Sequence, residues 1–155
     1  MKKTLLLLLV LASVANAAPR FGIVAEQNNG AGAIITDDMY TAQLTYTSQS
    51  DDSDSETSVS GITLSGNYKI ALDSVTALTV GASYQTISGD VLGSEIDTYN
   101  TIAIQAGFER ALSSNIVLTT QADIYSTETL EVGGNGETAT TSIFSNGRVG
   151  VAYLF

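Results

Sequence analysis

The chain ends in the stretch Arg148-Val149-Gly150-Val151-Ala152-Tyr153-Leu154-Phe155, in which two kinds of residue alternate. One face of this alternation is apolar and aromatic and consists of Val149, Val151, Tyr153 and Phe155. The other face is small or polar, with Leu154 as the exception. A period of two is typical of a β-strand with two chemically different faces. The stretch therefore predicts a strand that continues to the last residue, Phe155.

The first residues of the chain have the three parts of a secretory signal. Lys2-Lys3 is a short basic region, residues 4–12 are apolar apart from Thr4 and include five successive leucines, and Ala15-Asn16-Ala17 supplies small residues for a peptidase. The apolar run is too short for a membrane-spanning helix, which needs about 20 residues. We therefore predict a cleaved signal peptide at 1–17 and a single domain at 18–155.

The composition excludes several kinds of function. Without Lys2 and Lys3, four basic residues stand against sixteen acidic ones, which gives a formal charge of −12 and argues against nucleic acid as a partner. The chain has no cysteine and no histidine, so disulfides, thiol chemistry and serine–histidine catalysis are absent. We predict a protein that is not an enzyme and that has no cofactor.

The acidic run Asp51-Asp52-Ser53-Asp54-Ser55-Glu56 is the one candidate for a cation site. Its oxygens suit Ca²⁺ or Mg²⁺, but it lacks the spacing and the turn glycine of an EF-hand. A solvated acidic loop is the favoured interpretation, with no specific metal site.

Alternating segments separated by turn residues predict eight strands. The segments are 20–27, 31–36, 39–48, 58–70, 75–88, 97–110, 115–127 and 142–155. The connections around Asp37, Asp73 and Ser113 are short, whereas those around Asp51, Ser94 and Gly134 are long and polar. The second segment is short, and the division of the N-terminal stretch into a hairpin is the weakest part of this count.

These features together resemble bacterial outer-membrane β-barrels, similar to the OmpA transmembrane domain and its eight-stranded relatives. The resemblance implies an all-β, eight-stranded antiparallel up-and-down transmembrane barrel in the outer membrane of a Gram-negative bacterium, with short periplasmic turns and longer outer loops. It implies that Val149, Val151, Tyr153 and Phe155 act as an assembly signal. The implied partners are outer-membrane lipid and lipopolysaccharide, with periplasmic chaperones and the barrel-assembly machinery during biogenesis. The implied state is a monomer.

Parity along the strands predicts which aromatic side chains face lipid. A periplasmic girdle is predicted at Phe21, Tyr40, Tyr68, Phe108, Tyr153 and Phe155, and an outer girdle at Tyr46 and Tyr84. Tyr99 and Tyr125 have inward parity near the outer rim. A soluble lipocalin-like barrel would place the apolar faces inside. The secretion signal, the terminal Phe155 and the aromatic placement favour lipid outside.

Nearly all charges within the strands have inward parity. We predict a lumen charge network of Arg20, Glu26, Lys69, Glu109, Asp123 and Arg148. Because isolated buried charges are costly, these residues should pair, and Glu109–Arg148 is the preferred pair, reaching across the lumen. The favoured role of the network is a structural plug, and the alternative is a narrow gate.

The leading functional prediction is a structural or surface-interaction barrel. One alternative is a narrow porin-like channel for small solutes or ions. Another is a secreted soluble β protein such as a pilus subunit, although most of those carry a disulfide and this chain has no cysteine.

Overall fold

Eight antiparallel strands form a closed ring in which each strand pairs with its neighbours in the sequence. The computed structural model describes residues 18–27, 30–51, 57–91, 94–131 and 137–155, so the predicted signal peptide and most of the acidic run lie outside the described residues. The strands are β1 (Arg20–Glu26), β2 (Gly30–Thr36), β3 (Tyr40–Asp51), β4 (Thr57–Ala71), β5 (Thr76–Val91), β6 (Ser94–Ala111), β7 (Ile116–Glu131) and β8 (Glu137–Leu154). The predicted fold class, including the short second strand, is confirmed. Within the described ranges no helix is long and apolar enough to cross a membrane.

The ring closes through the first and last strands. β1 and β8 pair from Gly22 opposite Leu154 to Glu26 opposite Gly150. The amide of Phe155 donates to the carbonyl of Phe21 at 2.8 Å, which extends this pairing to the last residue. Closure leaves no free sheet edge at this end of the barrel.

The three short turns define the short-turn end of the barrel. In each of them a side-chain oxygen accepts hydrogen bonds from backbone amides. Asp37 Oδ1 accepts from two backbone amides two and three residues later at 2.7 Å, and Asp73 Oδ1 does the same at 2.8 Å. In the third turn the Ser113 hydroxyl oxygen replaces the carboxylate and accepts at 3.1 and 3.3 Å. Side chains that bond backbone two or three residues on stabilise tight turns.

The opposite end, here called the long-loop end, has a wall of uneven height. β1 and β2 have 7 residues each, whereas β6 and β8 have 18. Pairing between β8 and β1 stops at Gly150, with one further bond from the Gln27 amide to the Val149 carbonyl. Pairing between β3 and β2 stops at Tyr46. Beyond these points, β3 and β8 have no partner strand on that side among the described residues.

Bulges interrupt the alternation in β7 and β8. Gln105 lies opposite Asp123 but Ile104 lies opposite Tyr125, so Ile124 is an extra residue. In β8, Asn146 is extra in the same way, and both Asn146 and Phe144 have positive φ, at 40° and 54°. Tyr125 consequently faces outward, with 45% of its surface exposed. The predicted inward orientation of Tyr125 is wrong because the bulge reverses the parity, whereas Tyr99 is half-buried.

Most strands extend farther at the long-loop end than predicted. β8 begins at Glu137 rather than residue 142, and β6 begins at Ser94 rather than residue 97. Thr140 and Thr141 are polar residues on opposite faces of β8, so the periodic signal stops there although backbone pairing with β7 continues.

The two faces of the sheet are chemically inverted relative to a soluble barrel. The buried inward side chains are mainly hydroxyl and amide groups, and most of the large apolar side chains described are exposed on the outside. One small apolar group lies inside and consists of Val24, Ile34, Val117, Ala152 and Leu154.

Candidate functional site in the barrel lumen

An ion pair close to the short-turn end, called here the lower pair, joins Lys69 and Glu109. Each of these residues lies two positions before the last residue of its strand. The Lys69 Nζ–Glu109 Oε1 distance is 2.7 Å, and the side chains are only 8% and 11% exposed. Thr41 donates to the other oxygen of Glu109 at 2.7 Å, and Lys69 donates to Thr36 Oγ1 at 2.5 Å. The buried charges therefore have the hydrogen bonds that a low-dielectric site requires.

A second ion pair, called here the upper pair, lies farther from the short-turn end and joins Asp123 and Arg148. Arg148 Nη2 lies 3.2 Å from Asp123 Oδ1, 2.5 Å from Gln105 Oε1 and 3.3 Å from Ser83 Oγ. Gln105, which is fully buried, donates in turn to Asn67 Oδ1 at 2.8 Å. These bonds connect β4, β5, β6, β7 and β8 across the lumen through the guanidinium of Arg148 and the amide of Gln105.

The predicted Glu109–Arg148 pair is wrong. Arg148 lies six residues from the last residue of β8, whereas Glu109 lies two residues from the last residue of β6. The two side chains share the lumen but not the same height, and each finds an opposite charge at its own level. The parity of a residue shows that its side chain points into the lumen but not at which height along the barrel it lies.

The two remaining predicted lumen charges lie at opposite ends of β1. Arg20 is half-buried at the first position of β1, opposite Thr36. Glu26 is half-buried at the last position and contributes to the wall of a lumen cavity. Among the described residues, neither one forms an ion pair.

The lumen cavity has a volume of about 230 Å³ and lies on the long-loop side of the upper pair. Asp123, Arg148 and Ser83 line it at the level of that pair. Its other lining residues are mostly amides and hydroxyls: Gln27, Thr47, Gln49, Thr63, Gln85, Thr101 and Asn146, with Glu26, Val59, Ile87 and Gly147. β2 is the one strand that contributes no described residue to this lining.

Sequence reasoning missed two features of the lumen. The first is the buried apolar group around Val24, Ile34 and Leu154, which lies on the inside of β1, β2, β7 and β8. The one visible signal was Leu154, the exception in the terminal alternation. The second is a set of buried polar atoms that have no protein partner within the described part of the chain: Gln43 Nε2, Asn67 Nδ2, Thr79 Oγ1 and Arg148 Nε.

The outer surface carries the predicted aromatic residues. Tyr40 is half-buried, and the other residues of both predicted girdles are exposed. The rings of Tyr40 and Tyr68 meet edge-on with centroids 5.4 Å apart, as do those of Tyr153 and Phe155 at 5.8 Å. Val149 and Val151 are exposed on the same face as Tyr153. Tyr125, Ile143 and Phe144 are further exposed groups near the outer girdle that the sequence did not predict.

The lumen groups are engaged in packing and hydrogen bonding. Lys69 Nζ and Arg148 Nη2 each bond to a carboxylate, and no group of three potential metal ligands occurs in the described parts of the chain. The arrangement can fill the barrel, hold its strands in register and leave one polar cavity.

Solved structures with a similar fold are outer-membrane proteins. Neisserial surface protein A, NspA, matches with a TM-score of 0.54 and 15% identity, covering 88% of this chain and 94% of that chain. A major outer membrane protein from Thermus thermophilus matches with a TM-score of 0.49 and 13% identity, covering 90% and 100%. Ail, the attachment invasion locus protein of Yersinia pestis, matches with a TM-score of 0.43 and 13% identity, covering 88% and 96%.

No family model matches the sequence, and no match is found among curated proteins. The similarity to NspA is therefore one of fold. This chain has the eight-stranded fold of the small outer-membrane β-barrels.

Proposed function

We propose that the chain is an integral outer-membrane protein of a Gram-negative bacterium, without enzymatic activity, that acts as a filled barrel with a structural or surface-interaction role. Its short-turn end faces the periplasm and its long-loop end faces outward. Membrane lipid and lipopolysaccharide surround it, and periplasmic chaperones and the barrel-assembly machinery deliver it.

The single observation that carries this proposal is the inversion of the two faces. Among the described residues, twenty-five large apolar or aromatic side chains are exposed, whereas the buried inward positions are mainly threonine, serine and amide side chains. In water such an outer surface would exceed the apolar patches that monomeric proteins tolerate, which argues against a secreted soluble β protein. In a bilayer the same surface is the expected one, because a closed barrel satisfies all its backbone groups internally.

A pair of arginine substitutions tests the proposal. Leu44 lies in the middle of β3 and is 52% exposed, while Leu72 lies in a short turn and is 57% exposed. If lipid covers the strands, Leu44→Arg should destabilise the barrel by about 2–4 kcal/mol and Leu72→Arg by about 0–1 kcal/mol. Denaturant unfolding of protein folded into phospholipid vesicles measures both values.

Equal effects of the two substitutions would contradict the proposal, since both leucines are similarly exposed. Membrane fractionation of the full chain gives an independent readout. We expect the protein in the outer-membrane fraction, with a gel mobility that changes on boiling because the closed sheet resists unfolding. Recovery from the soluble periplasm would argue for a secreted soluble protein.

A narrow channel is the second candidate. The buried Gln43, Asn67 and Thr79 side chains have polar atoms without a partner among the described residues, and such atoms in a lumen favour contact with water. We expect the native barrel to show no conductance steps in a planar bilayer, because the lower pair and the apolar group fill the short-turn end. Steps in the native protein that change when both Lys69 and Glu109 are replaced by alanine would favour the channel.

A further inference from the structure

The barrel wall has a low segment at β1 and β2. With 7 residues each, these strands rise about 18 Å at a typical tilt of 40°, whereas the apolar band of an outer-membrane barrel is about 25 Å tall. Above the β1–β2 hairpin, β8 beyond Val149 and β3 beyond Thr47 face each other without the two strands between them. Among the described residues, the wall therefore has a gap two strands wide near the outer membrane interface.

The lumen cavity lies against this gap. Thr47 and Gln49 line it from β3, Asn146 and Arg148 line it from β8, and Gln27 lines it from the rim of the hairpin. These residues flank the gap on both sides and below. In the described part of the chain, no strand residue closes the cavity between β3 and β8 above the hairpin, which leaves room for a sideways entrance there.

The free edge of β8 is poorly shaped for another strand. Asn146 is a bulged residue, and positive φ values at Phe144 and Asn146 break the regular backbone along the unpaired stretch. Bulges at an edge prevent pairing with an additional strand. An extended peptide is thus a poor occupant for this gap.

The cavity chemistry favours an uncharged, hydroxyl-rich group. Arg148 is the only cation among the described lining residues, and Asp123 and Gln105 already engage its Nη2. With Glu26 also present, the lining has a net negative charge that disfavours phosphate. Amides and hydroxyls such as those of Gln49 and Thr47 both donate and accept, which matches the hydroxyls of a sugar.

We propose that the cavity binds the single sugar-like head group of a glycolipid. The gap above the β1–β2 hairpin admits this head group from the membrane interface, while the acyl chains of the lipid remain in the bilayer. A volume of about 230 Å³ has space for a single sugar ring. This inference rests on the proposed function, because it requires the barrel to be embedded in lipid.

The test uses the mature barrel in phosphatidylcholine nanodiscs and follows backbone amide signals by NMR. The probes are a monoglucosyl diacylglycerol, the same diacylglycerol without sugar, and free glucose. We expect the amides of Thr47 and Arg148 to shift with the glucolipid and not with the diacylglycerol. Gln49→Leu should weaken the glucolipid affinity about fivefold, equivalent to one lost hydrogen bond. Ser48→Leu, on the opposite face of the same strand, is the matched control and should leave the affinity unchanged.

A variant with the hairpin lengthened by two residues in each strand tests the sideways entrance. Raising the low wall should abolish the glucolipid shifts and leave any response to free glucose intact. Unchanged glucolipid binding in this variant, or a native barrel that responds only to free glucose, would overturn the entrance. Absence of lumen shifts in a native barrel that inserts normally into nanodiscs would overturn the whole inference. Failure to insert would instead contradict the proposed function.

Discussion

The two ends of the barrel differ in how completely their structure is closed. At the short-turn end all eight strands are paired, three turns are bonded by Asp37, Asp73 and Ser113, and the lower pair and the apolar group are buried inside. At the long-loop end β1 and β2 are too short to reach the rim, the pairing of β5 to β8 shifts register at several points, and a cavity remains. The difference separates two tasks: the short-turn end stabilises the ring, and the long-loop end offers the space in which a ligand or partner can bind.

The two ion pairs follow the same division. Lys69 and Glu109 are 2.7 Å apart and about equally buried. Asp123 and Arg148 are 3.2 Å apart, and Arg148, at 19% exposure, borders the cavity. Removing the partner of a charge beside a polar cavity lowers the free energy of unfolding less, because water replaces part of the interaction. The lower pair should therefore matter more for stability than the upper pair.

Replacing Lys69 is expected to have the largest effect. Lys69→Met keeps the length of the side chain but leaves Glu109 charged and buried, which typically costs about 3–5 kcal/mol. The double variant with Glu109→Leu should recover part of this loss. Unfolding of the single and double variants in vesicles gives the coupling energy. Additive effects of Lys69→Met and Glu109→Leu would show that the lower pair is not coupled.

Replacing Arg148 is expected to have a smaller effect. Arg148→Gln should cost about 1–3 kcal/mol, because Asp123 loses its partner while the glutamine retains a donor toward Gln105. Asp123→Asn should couple with it in a double-mutant cycle. Glu109→Gln should be additive with Arg148→Gln, since these two residues lie at different heights. A strong coupling of Glu109 with Arg148 would contradict the assignment of two separate pairs.

The fold could be predicted from the sequence because it depends on local signals. Turn residues such as Asp73 and Ser113 mark the short connections, and alternation marks each strand where one face is apolar. The same reasoning fails where both faces are polar, so the outer extensions of β6 and β8 were missed. It also fails at Ile124 and Asn146, because a single extra residue in a strand leaves no periodic signal of its own.

The lumen was harder to predict because parity gives the direction of a side chain and not its height. Inward charges such as Glu109 and Arg148 could be identified, but their partners depend on strand tilt and register. The low wall follows from the two short predicted strands on either side of Gly30, which the sequence shows. Its consequence, a gap beside the cavity, depends on how far β3 and β8 extend past the hairpin, which requires the pairing between strands.

Removing the last residue tests the closure of the short-turn end. The Phe155 amide bonds to Phe21, and its ring packs on Tyr153. We expect deletion of Phe155 to lower the assembled yield severalfold, as proposed for an assembly signal, while the barrels that do form lose about 1 kcal/mol or less, the value of one backbone bond. Quantifying folded protein in outer membranes and its unfolding in vesicles separates the two effects. Unchanged yield at native expression would eliminate the assembly role.

The smallest expected effect concerns the turn at Asp73, outside the strands. The amide of Val75, bonded to the carboxylate, lowers the pKa of Asp73 below its ordinary value of 3.8, with a further contribution from Thr76. Because the pKa of Asp73 is lower in the folded state, its carboxylate stabilises the turn at pH values above the ordinary pKa. This stabilisation is lost as the pH falls through the folded pKa. Carboxyl NMR should give a midpoint below 3.8. Asp73→Asn keeps an acceptor oxygen without a charge, so exchange protection of the Val75 and Thr76 amides should lose its acid dependence. A midpoint at or above the ordinary value would show that the carboxylate does not bond these amides, and the turn would then have to be held by its backbone bonds alone.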